Sequence, residues 1–100
     1  MKLDTIENII ETLESLLEST LVENNIKIKR RLIGDFSHLI LNTNEDFVSE
    51  QVDQIMVDLA MELDSYEPNE KYRKEDPSFY DDIGLIKTID EAIEKLRSLK

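Results

Sequence analysis

The sequence contains no cysteine, and it has only two glycines, two prolines and one histidine among its 100 residues. Without cysteine the chain can form neither a disulfide nor a thiolate metal site. Scarce glycine and proline disfavour folds with many tight turns, such as β-sandwiches and barrels. No apolar run approaches the roughly 20 residues that span a bilayer, and the first residues lack the apolar core of a signal peptide. We therefore expect a single cytoplasmic domain over residues 1–100.

What the sequence has in abundance is leucine, isoleucine, glutamate and lysine, which favour helix. Four segments carry apolar residues at steps of three and four, the spacing of a helix with one buried face. They are residues 4–24, 26–41, 46–66 and 82–99. The pattern predicts an all-α fold, an antiparallel four-helix bundle with a long acidic loop between helices 3 and 4.

Several residues mark the ends of these helices. Asp4 followed by Glu7 resembles a capping box at the start of the first helix. Residues 42–44 predict the loop before the third helix, and Gly34 permits a bend in the second. Pro68 ends the third helix, because proline lacks an amide donor and disfavours helical geometry in the residue before it. The loop then covers residues 67–82, a length typical of functional or disordered connections.

Negative charge is concentrated in one part of the chain. Residues 42–82 contain thirteen acidic and three basic residues, a net charge of −10, whereas the whole chain carries −11. No lysine or arginine lies between Phe47 and Tyr66. Crowded carboxylates repel one another and reduce stability, and a basic partner would relieve that repulsion. The alternative is that the charge only keeps the protein in solution. Such a surface repels nucleic acid and anionic lipid, so we expect direct contact with neither.

One region has the opposite charge. Residues 25–41 contain four basic residues and one acidic residue, a net charge of +3. We expect the cluster Lys27–Arg31 to be a solvated helix start. The alternative is that it pairs with an acidic patch on a second copy of the chain, and the sequence leaves the oligomeric state open.

The predicted loop region carries four of the six aromatic residues, Tyr66, Tyr72, Phe79 and Tyr80. Aromatic side chains beside acids are typical anchors of a protein interface. The alternative is that Tyr66 and Phe79 pack the loop onto the helices, and we expect this of at least one of them. Tyr72 and Tyr80 are the better surface candidates.

Motifs for catalysis are missing. His38 lies in an apolar segment and is expected to pack at the edge of the core, and no cluster of histidine or cysteine suggests a metal. The sequence has no phosphate loop, GxSxG or HExxH pattern. Ser65 is a poor match to the modified serine of acyl carrier proteins, because it closes a helix instead of opening one. We expect no enzyme activity, no cofactor and no metal.

The stretch from Leu59 to Leu96 resembles the colicin D immunity protein family, which includes immunity proteins of contact-dependent inhibition systems. The shared features are an acidic helix that ends in Tyr66-Glu67-Pro68, a charged loop with Glu70 and Asp81-Asp82, and a final helix that includes residues 85–93. The resemblance covers about the last 40 residues and implies an antiparallel helical bundle. It also implies binding to the nuclease domain of a cognate toxin that cleaves transfer RNA.

On this resemblance, carboxylates of the immunity protein lie where RNA phosphates would lie in the toxin's basic cleft, and they block it. Electrostatic attraction would speed the capture. The alternatives are an acidic helical adaptor or regulatory subunit for a different basic protein, a DNA-mimicking factor, and a small enzyme or carrier. The residues expected to contact the partner are Asp58, Glu62, Asp64, Tyr66, Glu67, Glu70, Tyr72, Tyr80, Asp81 and Asp82.

Overall fold

A computed structural model describes residues 5–42 and 49–99 of the chain. These residues form five helices and no strand, so the predicted all-α fold is confirmed. The helices are α1 (Ile6–Val22), α2 (Ile26–Asn42), α3 (Glu50–Leu63), α4 (Glu70–Arg73) and α5 (Asp82–Arg97).

Two of the helix starts are set by hydroxyl caps. Thr5 precedes α1, and its Oγ1 accepts a hydrogen bond of 3.1 Å from the amide of Asn8. The cap is therefore one residue later than predicted, and Asp4 lies outside the described residues. Ser49 caps α3 in the same way, with its Oγ accepting from the amide of Val52 at 3.3 Å. Each cap satisfies an amide that has no partner within the helix.

The four long helices surround one apolar core. α1 and α3 each pack against both α2 and α5. Each buried aliphatic side chain stabilises the fold by about 1.5–3 kcal/mol. The largest fully buried apolar side chains are Ile9, Leu13, Ile33, Met56, Leu63, Leu85, Ile89 and Leu96.

The second helix differs from its prediction in two places. α2 continues through Gly34 without a break, and this glycine faces open space, with nothing within 4 Å of the position of a Cβ atom. His38 is exposed and does not pack at the edge of the core, which corrects the prediction. The polar residue that is buried in α2 is Ser37, whose Oγ donates a hydrogen bond of 2.8 Å to the carbonyl of Ala60 in α3.

The connection between α3 and α5 is more structured than the predicted loop. α3 ends at Leu63, three residues earlier than predicted, and the predicted start of this helix at residue 46 lies outside the described residues. α4 occupies the middle of the connection, with Asn69 as its cap. We call residues 64–81 the connecting segment.

Candidate partner-binding surface

The two ends of the connecting segment lie side by side. The amide of Tyr80 donates to the carbonyl of Ser65 at 3.0 Å, and the amide of Glu67 donates to the carbonyl of Tyr80 at 2.9 Å. These bonds make an isolated parallel bridge between Tyr66 and Tyr80. The segment therefore leaves and re-enters the helical body at one place.

Two tyrosine side chains join this bridge to the helices. The hydroxyl of Tyr66 donates to Oδ1 of Asp82 at 2.6 Å, and the hydroxyl of Tyr80 donates to the carbonyl of Glu62 at 2.8 Å. The two rings are 6.1 Å apart. Burial raises the pKa of Tyr80 to about 12, and burial with the bond to Asp82 raises the pKa of Tyr66 above its usual range.

Tyr66 is therefore a core residue. Only 5% of its surface is exposed, so it packs the segment onto the helices, as the alternative interpretation expects, and its ring presents almost no surface to a partner. Tyr80 is half-buried against the core and has little free ring to offer. Sequence analysis separates Tyr66 from Tyr72 but groups Tyr80 with Tyr72 as a surface candidate, since both stand among acidic and polar residues.

The basic start of α2 holds the connecting segment. Lys29 Nζ lies 2.6 Å from Oδ2 of Asp82, and Arg30 Nη2 lies 2.6 Å from Oε2 of Glu67. Arg73 Nη1 adds a bond of 2.9 Å to the carbonyl of Glu67. The prediction of a solvated helix start is wrong for Lys29, whose side chain is only 12% exposed, whereas Arg30 is exposed and also pairs with an acid far along the same chain.

Asp82 is a junction in this arrangement. Burial alone would raise its pKa, but the hydrogen bonds from Lys29 and Tyr66 outweigh burial, and the pKa lies below its usual value. Its neighbour Asp81 is the cap of α5, with Oδ1 accepting from the amides of Ile83 at 3.0 Å and Gly84 at 3.2 Å. Both acids therefore have structural partners within the chain.

Gly84 allows the segment to pack so closely. A Cβ atom at this position would lie 2.6 Å from the Cβ of Tyr80, closer than such atoms approach in proteins. The glycine has ordinary helical geometry, so the requirement is for space and not for an unusual backbone angle. Sequence analysis assigns no role to Gly84. The one available signal is the glycine itself, because other residues serve equally well near a helix start.

The remaining predicted acids lie on the surface. Asp58, Glu62, Asp64 and Glu70 are all exposed. Among the described residues, no lysine or arginine comes within 4.0 Å of their carboxylates. Asp58 accepts one hydrogen bond of 2.9 Å from Gln54, and Asp64 one of 3.5 Å from Ser37. These side chains can exchange water for a basic partner without breaking an ion pair.

Tyr72 is the most exposed of the three tyrosines predicted to contact the partner. It lies on α4 with 41% of its surface exposed, and the guanidinium carbon of Arg30 stands 5.8 Å from its ring centre. A cation over an aromatic ring contributes about 0.5–1 kcal/mol at an exposed site. Arg30 thus binds both Glu67 and Tyr72 and fixes α4 beside the start of α2.

The first helix has an acidic surface that lies outside the residues predicted to contact the partner. α1 contains four glutamates and no lysine or arginine, the same balance as the four acids of α3. Of these glutamates, Glu14 lies 3.6 Å from Arg97 of α5. α2 and α5 each pack against the two acidic helices, α1 and α3, so the carboxylates of α1 are kept apart from those of α3. The signal for this surface was present in the sequence, in the absence of basic residues from Thr5 to Val22.

Metal-binding groups, membrane-spanning helices and pockets bear on the remaining classes of function. Across residues 5–42 and 49–99, no group of three or more histidine, aspartate or glutamate side chains could hold a metal ion. No helix in this part is long and apolar enough to cross a membrane. A surface hollow of about 600 Å³ beside α5 is open and is lined mainly by charged side chains, unlike the apolar pockets that bind small molecules.

Comparisons with models of known protein families, with curated proteins and with solved structures find no match to this chain.

Proposed function

We propose that this protein is an immunity protein, which binds and neutralises a cognate nuclease toxin, with a transfer RNA nuclease as the leading candidate. The observation that carries the proposal is the set of exposed carboxylates on and after α3, Asp58, Glu62 and Asp64, with no basic side chain of the described residues in ion-pair reach. The resemblance of residues 59–96 to colicin D immunity proteins supplies the class of partner.

The electrostatic argument is direct. A nuclease needs a basic cleft to bind phosphates, so rows of carboxylates complement the same cleft. Asp58 and Glu62 are one helical turn apart and lie beside the groove between α3 and α5, where Lys95 is also found. Long-range attraction between opposite charges raises the association rate, which benefits an inhibitor that must act before the toxin does.

The ten residues that the sequence predicts to contact the partner divide into two groups in this proposal. Five of them build the surface, because they are buried or bonded within the chain, namely Tyr66, Glu67, Tyr80, Asp81 and Asp82. The other five meet the toxin, namely Asp58, Glu62, Asp64, Glu70 and Tyr72. The second group is exposed.

We also propose that the four long helices form an antiparallel four-helix bundle. Ser37 of α2 bonds to Ala60, and Arg30, two turns earlier in α2, bonds to Glu67, seven residues later. Residue numbers therefore rise in one element as they fall in the other, which is the arrangement of antiparallel neighbours.

Capture from native cells tests the function. The tagged protein is recovered from its own cytosol, and co-purifying proteins are identified by mass spectrometry. Any basic fragment is then assayed for cleavage of transfer RNA, with and without this protein added back. We expect a basic nuclease domain at one-to-one stoichiometry whose activity is lost on rebinding. Recovery of a housekeeping complex, or of no basic protein, contradicts the proposal.

A charge-reversed pair of variants sharpens this experiment. The substitutions Asp58→Lys and Glu62→Lys together should abolish inhibition. Glu11→Lys with Glu18→Lys changes the net charge equally on the exposed face of α1, and it should preserve inhibition. Equal loss in both variants means that only the net charge attracts the toxin, which contradicts a specific α3 surface. Glu67 is avoided, because its reversal would break the bond to Arg30.

The second candidate function is an acidic adaptor or regulatory subunit for a different basic protein. The observation that favours it is the acidic face of α1, since blocking one cleft needs one face whereas an adaptor can use two. Loss of partner binding in the Glu11→Lys and Glu18→Lys variant alone would favour this function.

A further inference from the structure

The apolar side chain that stands out on α3 is Met61. It is 62% exposed in the middle of a regular helix, although the other methionine of this helix, Met56, is fully buried. Val57, one helical turn before Met61, is half-buried. These two residues leave an apolar ridge on the outer surface of α3.

The ridge runs between carboxylates. Residues three apart are neighbours on a helix surface, so Met61 lies next to Asp58 before it and Asp64 after it. Both acids are exposed. Asp58 and Glu62 lie on the side toward α5, where they line a groove with Thr88. Asp64 lies on the other side, within 3.5 Å of Ser37 of α2. Met61 is thus an apolar centre with negative charge on both sides.

Resting on the proposed function, we propose that Met61 is the apolar anchor of the partner interface, and that the partner presents an apolar depression flanked by lysine or arginine. Interfaces commonly combine an apolar, water-free centre with a polar rim, and methionine is enriched in them. A flexible thioether also adapts its shape to the partner surface.

Charge complementarity selects this occupant over a second copy of the chain. A symmetric dimer through Met61 would bring Asp58, Glu62 and Asp64 of one copy against the same carboxylates of the other. Repulsion between these carboxylates opposes the association of two copies, whereas a basic rim on a different protein favours its binding.

The experiment uses two fluorescein-labelled helical peptides of 14 residues and equal positive charge. In the first, lysines flank a stripe of leucines; in the second, glutamines replace the leucines. Binding to the full chain is measured by fluorescence anisotropy at low salt. The wild-type protein should bind the leucine peptide about tenfold more tightly than the glutamine peptide.

The variants assign this preference to one side chain. Met61→Gln should remove the tenfold preference, whereas Met61→Leu should keep it. Val22→Gln is the matched control, because Val22 is 72% exposed and lies at the end of α1. With ¹³C-labelled methionine methyl groups, the leucine peptide should shift the NMR signal of Met61 and leave that of buried Met56 in place.

The outcomes separate the two proposals. If neither peptide binds the wild-type protein, the anchor is refuted, while the proposed function is decided separately by the capture experiment. If both peptides bind equally, the acidic surface stands and the anchor is refuted. A preference that survives Met61→Gln, or a Met61 signal that moves with protein concentration in the absence of peptide, also refutes it, the latter in favour of a second copy.

Discussion

The acids of α3 and those next to the connecting segment come from one stretch of sequence with the same residue types, but they differ in what they contact. Asp58 and Glu62 are exposed, and no lysine or arginine of the described residues comes within 4.0 Å of their carboxylates. Glu67 and Asp82 are held at 2.6 Å by Arg30 and Lys29. A high density of acids therefore identifies a charged region without telling which carboxylates are available to a partner.

The difference arises from where α2 begins. Its first turns carry the basic cluster, and they lie next to the end of α3, the connecting segment and the start of α5. Glu67 and Asp82 lie near that end of the molecule, and each pairs with a cation. Asp58 and Glu62 lie further back along α3 on the side toward α5, where Lys95 lines the same groove but stays more than 4.0 Å from both carboxylates.

The largest difference in stability is expected between alanine substitutions of the two glycines of the chain. Gly84→Ala should destabilise the protein by about 1–3 kcal/mol, because its Cβ would overlap that of Tyr80. Gly34→Ala should stabilise it by about 0.5–1 kcal/mol, because the site is open and alanine favours helix. Urea denaturation of both variants measures the contrast, and a Gly84→Ala protein as stable as the wild type would show that Tyr80 moves away at no cost.

Removing the charge of Asp82 should come next in size. Asp82→Asn weakens the bonds from Lys29 and Tyr66 and should cost about 1–2 kcal/mol in the free energy of unfolding. Asp58→Asn is the matched control, with an expected change below about 0.5 kcal/mol. A double-mutant cycle with Lys29→Met isolates the ion pair, and additive effects of the two substitutions would mean that the pair contributes nothing.

Acid titration of stability sharpens the same comparison. The folded-state pKa of Asp82 lies below its unfolded value of about 4, so its stabilising contribution is present above that value. The contribution is lost as the pH falls through the lower folded pKa. Asp82→Asn should therefore flatten the acid limb of the stability curve, measured by urea midpoints from pH 6 to pH 2. An unchanged acid limb in the variant would contradict the assignment.

The smallest effect is expected on the α3 surface. Asp58→Asn with Glu62→Gln should stabilise the isolated protein slightly, by at most about 0.5 kcal/mol, because repulsion between carboxylates is relieved. The gain should disappear at high salt, because salt screens the repulsion between carboxylates in the wild-type protein as well. Thermal melting at low and at 1 M salt measures it. A loss of stability at low salt would show that these carboxylates stabilise the fold.

Much of the fold could be predicted from the sequence, because helical periodicity is a local property. The four long helices and the start of α5 at Asp82 follow from the spacing of apolar residues, whereas Pro68 predicts the end of α3 three residues too late. The cap at Thr5 and the helical turn α4 were missed, since polar residues near helix ends fit several positions equally well.

Far less of the candidate surface could be predicted. Its residue types and the stretch that carries them follow from the sequence, but the sequence leaves Tyr66 open between a partner anchor and a packing residue, and it does not single out Met61. Burial of a tyrosine depends on which residues meet it from other elements, and Asp82 is 16 residues away along the chain.

The sequence by itself determined that the chain is helical, strongly acidic and basic in one short cluster, because composition and periodicity act within a few residues. Only the tertiary structure decided that Lys29 and Arg30 bind Asp82 and Glu67 while Asp58 and Glu62 remain open to solvent. Ion pairs form over a few ångströms of space, and residues 30 and 67 come into contact only after the helices pack.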